Sequence, residues 1–494
     1  MLKFLVTALA LVATPGAALL ACGSDSGSAP LPASDGGLAL DGGADSRANG
    51  TDRTDGGGGA DADANANDGG PFTTFHVALT DRGACAVFPD GRMKCWGTSF
   101  ATATTGIGDA PGEMGAALPY LVLPQRVRTV RGAKTGAHCL IFEDGSLRCW
   151  GSGQLGQLGT PPVARLDVLM TNVDLGPGHT ALDVEPGNVT CVILDDGSVK
   201  CWGIASEGQL GQGNAVVSMT PLPVNLGTGR KAKALTTGFA FTCALLDDDR
   251  VKCWGRNNNT ITDVGTGGML GIGGTAHIGN DPGEMGDALQ YVRLGTNPAN
   301  GQPWKVKKIA AARESACAIL ENDRVKCWGT NLGNAALGAG NNEPYGNTIL
   351  DNGIPFVDVG TNAATTMPST VTDLASGEYA ICVLLSNGPV RCGGQDAGTA
   401  TLGRGAGGNV IGDVGGAEMG ENLVAVAFKP GRKAFRLWAS SYSMCAQVDT
   451  TTLGCWGRNT QGMLGAGLPA SGASESLGDA PGEVGAGFAE TVLE

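Results

Sequence analysis

Fourteen of the chain's 15 cysteines fall into seven pairs that share one separation of ten residues. Cys85 is matched with Cys95, Cys139 with Cys149, Cys191 with Cys201 and Cys243 with Cys253. Cys317 is matched with Cys327, Cys382 with Cys392 and Cys445 with Cys455. Midway through each pair lies turn chemistry, as in Pro89-Asp90-Gly91 and Asp195-Asp196-Gly197. A three-residue hairpin loop wants a type I turn followed by a left-handed residue, usually glycine. Gly91, Gly145, Gly197 and Gly388 meet that need, and Asp249 and Asp323 tolerate the conformation at some cost. Thr451 is a misfit, which predicts a different loop in the seventh pair.

The register follows from the loop. If residues 89–91 turn, Phe88 pairs with Arg92, and counting outward sets Cys85 opposite Cys95. That is a non-hydrogen-bonded position, where Cα atoms lie about 4.5 Å apart, near the short end of what a disulfide accepts. Reduced thiols and zinc are the rival readings. Zinc sites favour short cysteine spacings with histidine, and the chain holds only four histidines, His76, His138, His179 and His277, at no shared repeat position. The reading is one disulfide per pair. Each closes an 11-residue loop, for roughly 2.5–3 kcal/mol in a chain-entropy model.

The pairs mark a longer unit. Trp-Gly follows the second cysteine at Trp96, Trp150, Trp202, Trp254, Trp328 and Trp456, with Gly393 in the sixth unit. A large aromatic at one place in every unit reads as packing between units. Next comes a glycine hinge: Gly156-Gln157-Leu158-Gly159, Gly208-Gln209-Leu210-Gly211, Gly268-Met269-Leu270-Gly271 and Gly462-Met463-Leu464-Gly465. Weaker forms are Ala336-Leu337-Gly338 and Thr401-Leu402-Gly403. Short apolar strands precede each first cysteine (Val127–Val130, Val306–Ala310) and follow the hinge (Tyr120–Leu123, Phe356–Val359, Glu490–Leu493). Four strands in seven units predict an all-β chain: a seven-bladed β-propeller of four-stranded antiparallel blades with one intrablade disulfide each, over residues 71–494.

The unit Cys191…Asp196-Gly197…Cys201-Trp202-Gly203 followed by Gly208-Gln209-Leu210-Gly211-Gln212-Gly213 resembles the repeat of the regulator of chromosome condensation family. The resemblance covers residues 73–494 and implies a seven-bladed propeller; the paired cysteines resemble those of secreted bacterial members. The family's eukaryotic namesake exchanges nucleotide on a small GTPase and docks on chromatin. Some bacterial propellers of this fold bind and inhibit other proteins, which favours protein recognition.

The N-terminus bears on the compartment. Lys3 precedes an apolar run that ends in Leu19-Leu20-Ala21-Cys22, the layout of a secretory signal. The ending resembles the lipobox of bacterial lipoproteins, which implies a signal peptide over residues 1–22 and lipidation of Cys22. Gly23 stands where an inner-membrane retention aspartate would sit, which implies the outer membrane of the cell envelope, with the periplasmic or surface side open. Residues 23–70 are almost all Gly, Ala, Asp, Ser and Asn, too polar to offset ordering entropy. They read as a flexible linker with an r.m.s. span of roughly 35–40 Å.

A net charge of −14 repels a phosphate backbone, so nucleic acid is excluded as a partner. An acidic, exported protein does not meet a small GTPase either. A second repeated element, Gly108-Asp109-Ala110-Pro111-Gly112-Glu113-Met114-Gly115, recurs at 279–286, 412–420 and 478–485. It reads as a rigid turn with a Met or Val plug; the competing view is a ring of acids for a cation or basic partner. No nucleophile motif, metal set or cofactor fingerprint is present. The expected function is a non-catalytic envelope lipoprotein that binds a protein or extracellular ligand on a propeller scaffold, with membrane contact through its lipid alone. The alternative is an envelope enzyme, a lyase or glycosidase, using the propeller mouth. Substituting Cys22→Ala should abolish incorporation of labelled palmitate and release the protein from membranes; retained label would refute the anchor.

Overall fold

The computed structural model describes residues 75–98, 107–161, 163–166, 172–258, 267–330, 345–347, 353–361, 367–396, 400–405, 410–411, 419–467, 476–478 and 481–494. Cys22, the linker, the Ala336-Leu337-Gly338 hinge and most of the 412–420 element lie outside the described residues.

The strands form seven antiparallel sheets, each in chain order from its first strand outward. The first strands are His76–Leu79, Val127–Gly132, Ala181–Glu185, Ala232–Thr237, Val306–Ala311, Val371–Ser376 and Arg436–Ala439. Each touches the first strand of the next sheet, and the seventh touches the first. That is a closed ring of seven blades around an axis.

Every cysteine pair sits directly opposite across the second and third strands of its blade. Cys85 faces Cys95, Cys139 faces Cys149, Cys191 faces Cys201 and Cys243 faces Cys253. Cys317 faces Cys327, Cys382 faces Cys392 and Cys445 faces Cys455. All seven are disulfides, with Cα atoms 4.0–4.1 Å apart. That separation is slightly shorter than the about 4.5 Å expected of a non-hydrogen-bonded pair. The expected register holds: the Phe88 amide bonds Arg92 O and the Gly91 amide bonds Phe88 O, both at 2.9 Å. Asp249 and Asp323 take φ of 63° and 60°, as a left-handed loop position requires. The seventh loop keeps the length, with Val448 bonding Thr452, but the Thr451 amide turns to Asp449 Oδ1 at 2.9 Å instead of closing on Val448.

The continuous fourth strand expected in every blade needs correction. Among the described residues, the first, fourth and fifth blades have three-stranded sheets, and the outer edge is joined through isolated bridges. The repeated octapeptide explains this where it occurs. In the first blade, Ile107 bridges Gly97, the element 108–115 bulges out, and the chain rejoins the edge where the Leu121 amide bonds Met93 O. In the fourth blade, Ile278 bridges Gly255 and Tyr291 bridges Lys252 on either side of the insert. In the seventh, Ser476–Leu477 and Glu490–Val492 pair with the same third strand as two pieces.

Adjacent blades join through three repeated contacts. The tryptophan that follows the second cysteine in every blade but the sixth is buried. Trp96, Trp202, Trp254 and Trp456 donate their indole N–H to the hinge carbonyls of Met463, Gln157, Gln209 and Thr401 in the preceding blade, at 2.9–3.0 Å. The hinge leucines Leu158, Leu210, Leu270, Leu402 and Leu464 fill the core beneath. The inserted elements form the second contact. Glu113 Oε2 accepts the Gly108 and Ala110 amides of its own loop at 2.8 and 3.0 Å; Glu284 repeats both bonds, and Glu483 accepts the Gly478 amide. These amide bonds hold the Glu113 carboxyl below its ordinary range. In these three described elements the glutamate is therefore bonded back onto its own loop. The plug is real: a Cβ added to Gly211 would meet Met285 Cε at 2.8 Å.

The third contact is a basic residue just before the second cysteine. Lys94 Nζ bonds Gly115 O and, across the ring closure, Leu493 O, both at 2.8 Å. Lys252 bonds Leu226 O and Gly286 O at 2.9 Å, and Lys326 bonds Leu294 O at 2.6 Å. Burial pushes the Lys326 ammonium down to about 8, because a low dielectric disfavours the charged form.

Two outcomes follow from these joints. Gly211 has φ of 65° and lies against Trp254 and Met285, so Gly211→Ala should cost at least about 1–2 kcal/mol from the left-handed backbone alone, read as a lower denaturation midpoint. Lys326 binds a proton less readily folded than unfolded, where its value is near 10.4. Its contribution to stability is therefore present above that value and lost as pH falls through about 8. The rise in stability between pH 8 and 9.5 should be shallower in Lys326→Met than in the wild type; equal slopes would contradict the assignment.

Candidate functional site

The first strands enclose a cavity of about 250 Å³ on the axis. Its walls come from every blade, because the first strand of each blade faces the axis. One end is ringed by the turns between first and second strands, and these turns are linked in series. Asn188 Nδ2 bonds Phe239 O at 3.2 Å, the Phe239 amide bonds Arg313 O at 2.9 Å, and the Arg313 amide bonds Glu378 O at 3.1 Å. The Glu378 amide bonds Ser441 O at 2.8 Å, and Ser441 Oγ bonds Lys134 O at 2.6 Å. Lys134 in turn reaches across the axis to Ala311 O with its ammonium.

The charges around this end are arranged between blades. Arg131 Nε meets Asp183 at 3.2 Å, and Lys308 meets Asp373 at 2.5 Å. Arg313 pairs with Glu378 and bonds the Tyr379 hydroxyl at 3.0 Å. Burial pushes the Glu185 carboxyl up and the Lys134 ammonium down, each opposed by the attraction of nearby opposite charge, which includes the other. The Tyr442 phenol is pushed up to about 12 by burial and by the Glu378 charge.

Aromatic side chains share the rim with these ions. Phe239 is 43% exposed, and the Arg313 guanidinium stands 4.7 Å from its ring centre. Tyr379 and Tyr442 lie 6.2 Å apart, and Arg458 covers Tyr442 at 4.0 Å. Such cation–π contacts hold an arginine over an aromatic face without fully desolvating it. The result is a connected Phe–Arg–Tyr–Tyr–Arg band across four consecutive blades.

None of these rim residues was singled out by the sequence. The paired cysteines would have supplied the frame. Counting three residues back from each first cysteine gives Arg82, Gly136, Asn188, Ala240, Glu314, Tyr379 and Tyr442, a position that varies from blade to blade. The four histidines do separate roles. His138 stacks on Trp150 at 4.9 Å, His277 Nδ1 accepts the Asn257 amide at 3.1 Å, and His179 Nδ1 lies 3.1 Å from Asp195. His179, Asp195 and Asp196 form the cluster nearest to a metal set among the described residues. Asp195 is already bonded to the imidazole, and Asp196 caps the Ser198 amide.

Comparison with known proteins agrees with this geometry. The regulator of chromosome condensation (RCC1) repeat matches residues 232–260, which span the fourth blade's first three strands. Human WBSCR16 superposes with a TM-score of 0.53 at 15% identity, covering 76% of this chain and 88% of that one. The fold is that of the regulator of chromosome condensation propellers, and the fourth blade carries a match to their repeat. Yeast Prp20p from Saccharomyces cerevisiae, whose structure is described with its binding properties to Gsp1p and histones, has the same fold at a TM-score of 0.51 and 17% identity, over 72% of this chain and 76% of that one. In sequence, the ultraviolet-B receptor of Arabidopsis thaliana is 28% identical over 41% of this chain and 42% of its own length. Protein pim1 of Schizosaccharomyces pombe is 27% identical over 54% of this chain and 47% of its own. The matches therefore span about half or less of these two curated relatives.

Because Arg313 links Phe239 to Glu378 and Tyr379, Arg313→Ala should loosen the rim while leaving the seven disulfides intact. Amide exchange at residues 239 and 378 should accelerate well before that at the paired cysteines; uniform acceleration would contradict the local role.

Proposed function

We propose that this chain is a non-catalytic binding propeller of the cell envelope, held to the membrane by lipid on Cys22, which engages a protein partner through the rim of its axial cavity. The observation that carries the reading is the band of Phe239, Arg313, Tyr379, Tyr442 and Arg458 on linked turns. Tyrosine and arginine dominate the energetics of protein interfaces, because large stems bury area at low entropic cost while polar ends fix orientation. Rigid turns on a closed ring add preorganisation, so little ordering is lost on binding. Prp20p, with its Gsp1p and histone binding, is a precedent for protein recognition by this fold. Its particular partners, Gsp1p and histones, would not be met by a chain exported to the envelope as proposed here.

A second reading, a lyase or glycosidase, draws on Glu185 and Lys134, whose raised and lowered proton affinities in one cavity resemble a tuned acid–base pair. It is weaker because Asp183, Asp373 and Glu378 are already committed to cations of neighbouring blades.

The test is crosslinking in intact envelopes followed by identification of the captured protein, with wild type and Phe239→Ala compared. Phe239 is a partly exposed rim residue, so its removal should reduce capture of the specific partner at least about tenfold, the loss expected of an interface hot spot, without shifting the melting temperature. Undiminished capture would refute the rim as the docking surface.

A further inference from the structure

The residues opposite each first cysteine on the first strands make one layer of the cavity wall, and that layer breaks the repeat. Ala78, Thr236, Ala310 and Ala375 are small, whereas Arg131, Glu185 and Trp438 bring charge and an aromatic face. The charged members come from the second and third blades and two of the alanines from the fifth and sixth, on the far side of the ring. Seven identical residues would have closed or symmetrised this layer; these open one side and functionalise the other.

The polar groups are incompletely used. Lys134 spends one of an ammonium's three donors on Ala311 O. Glu185 accepts a backbone hydrogen bond from Thr237 but has no direct ion pair among the described residues, and Arg131 and Lys134 balance its charge from a distance. Ser376 Oγ and Thr135 Oγ1 line the same cavity with no partner among the described residues, and Ser376 is only 7% exposed. A buried hydroxyl left unpaired costs free energy, so something polar is expected to meet it. Leu235, Ile309 and the alanines supply apolar wall, beside Asp183, Lys308, Arg313 and Glu378, each of which is already ion-paired.

We propose that the axial cavity binds a small zwitterion of the α-amino-acid class with an apolar side chain. Its carboxylate meets Lys134 and the Ser376 hydroxyl, its ammonium meets Glu185, and its side chain lies against Trp438 and the alanine wall. A volume of about 250 Å³ equals roughly eight waters at their liquid packing, the scale of leucine. The proposal is independent of protein docking at the rim, and Phe239 takes no part in it.

Calorimetric titration of the intact protein in detergent with L-leucine, L-leucinamide and isocaproate tests it. Leucinamide lacks the carboxylate and isocaproate lacks the ammonium. L-leucine should bind saturably with a Kd of about 1 mM or tighter, and each analogue at least about tenfold more weakly. Glu185→Gln should bring L-leucine down to the level of isocaproate. No saturable L-leucine binding, or equal binding of all three, would overturn the proposal and leave the cavity to water or to an unselective apolar solute. The comparison of probes on the wild-type protein holds even if the variant does not fold.

Discussion

An indole N–H aimed at the hinge carbonyl of the preceding blade, made by Trp96, Trp202, Trp254 and Trp456, is the contact that most directly joins blade to blade. It satisfies two polar groups that would otherwise be buried unpaired. It also fixes how far one blade is rotated from the next, because the donor is rigid and the acceptor lies on a glycine turn. The hinge glycine is required at the same point: at Gly465 a Cβ would lie 3.1 Å from Trp96 Nε1 and 2.9 Å from Met114 Cε. Lysine, insert and tryptophan thus converge on one joint, and at the closure Trp96 and Lys94 of the first blade reach Met463 and Leu493 of the last. The disulfides act inside each blade and the tryptophans act between blades.

Much of this was legible in the chain because the repeat position states the physical role. A constant cysteine separation fixed a hairpin register, so that Cys149, Cys253, Cys327, Cys392 and Cys455 each met the partner that counting assigned. A constant tryptophan identified packing between units. The discontinuous outer strand was less legible. Tyr120–Leu123 and Phe356–Val359 have strand-like composition, yet only isolated pairings connect them to the sheet. A periodic apolar run does not reveal that an inserted loop has split its edge. The buried lysines were also missed, although Lys94, Lys200, Lys252 and Lys326 recur directly before a cysteine. A charge inside an otherwise apolar strand looks solvated from sequence alone; only the packed blade shows the carbonyls waiting for it.

The site was the least legible part, for a reason that follows from the architecture. Constant positions serve packing, so function has to occupy positions that vary between blades. Tyr379, Tyr442 and Arg313 on the turns, and Glu185 and Trp438 on the first strands, depart from any pattern common to all seven units. Each borrows its position from a strand that repetition makes rigid. Such a scaffold can change ligand or partner without altering any of the contacts that close the ring.

The hairpin staple is the premise beneath both the ring and its variable wall. Proteolysis of the unreduced, alkylated protein followed by mass-spectrometric mapping of linked peptides tests it directly. The account predicts seven crosslinks, each joining cysteines ten residues apart, with no label on the fourteen. Crosslinks between different blades, or alkylated cysteines within the pairs, would contradict it.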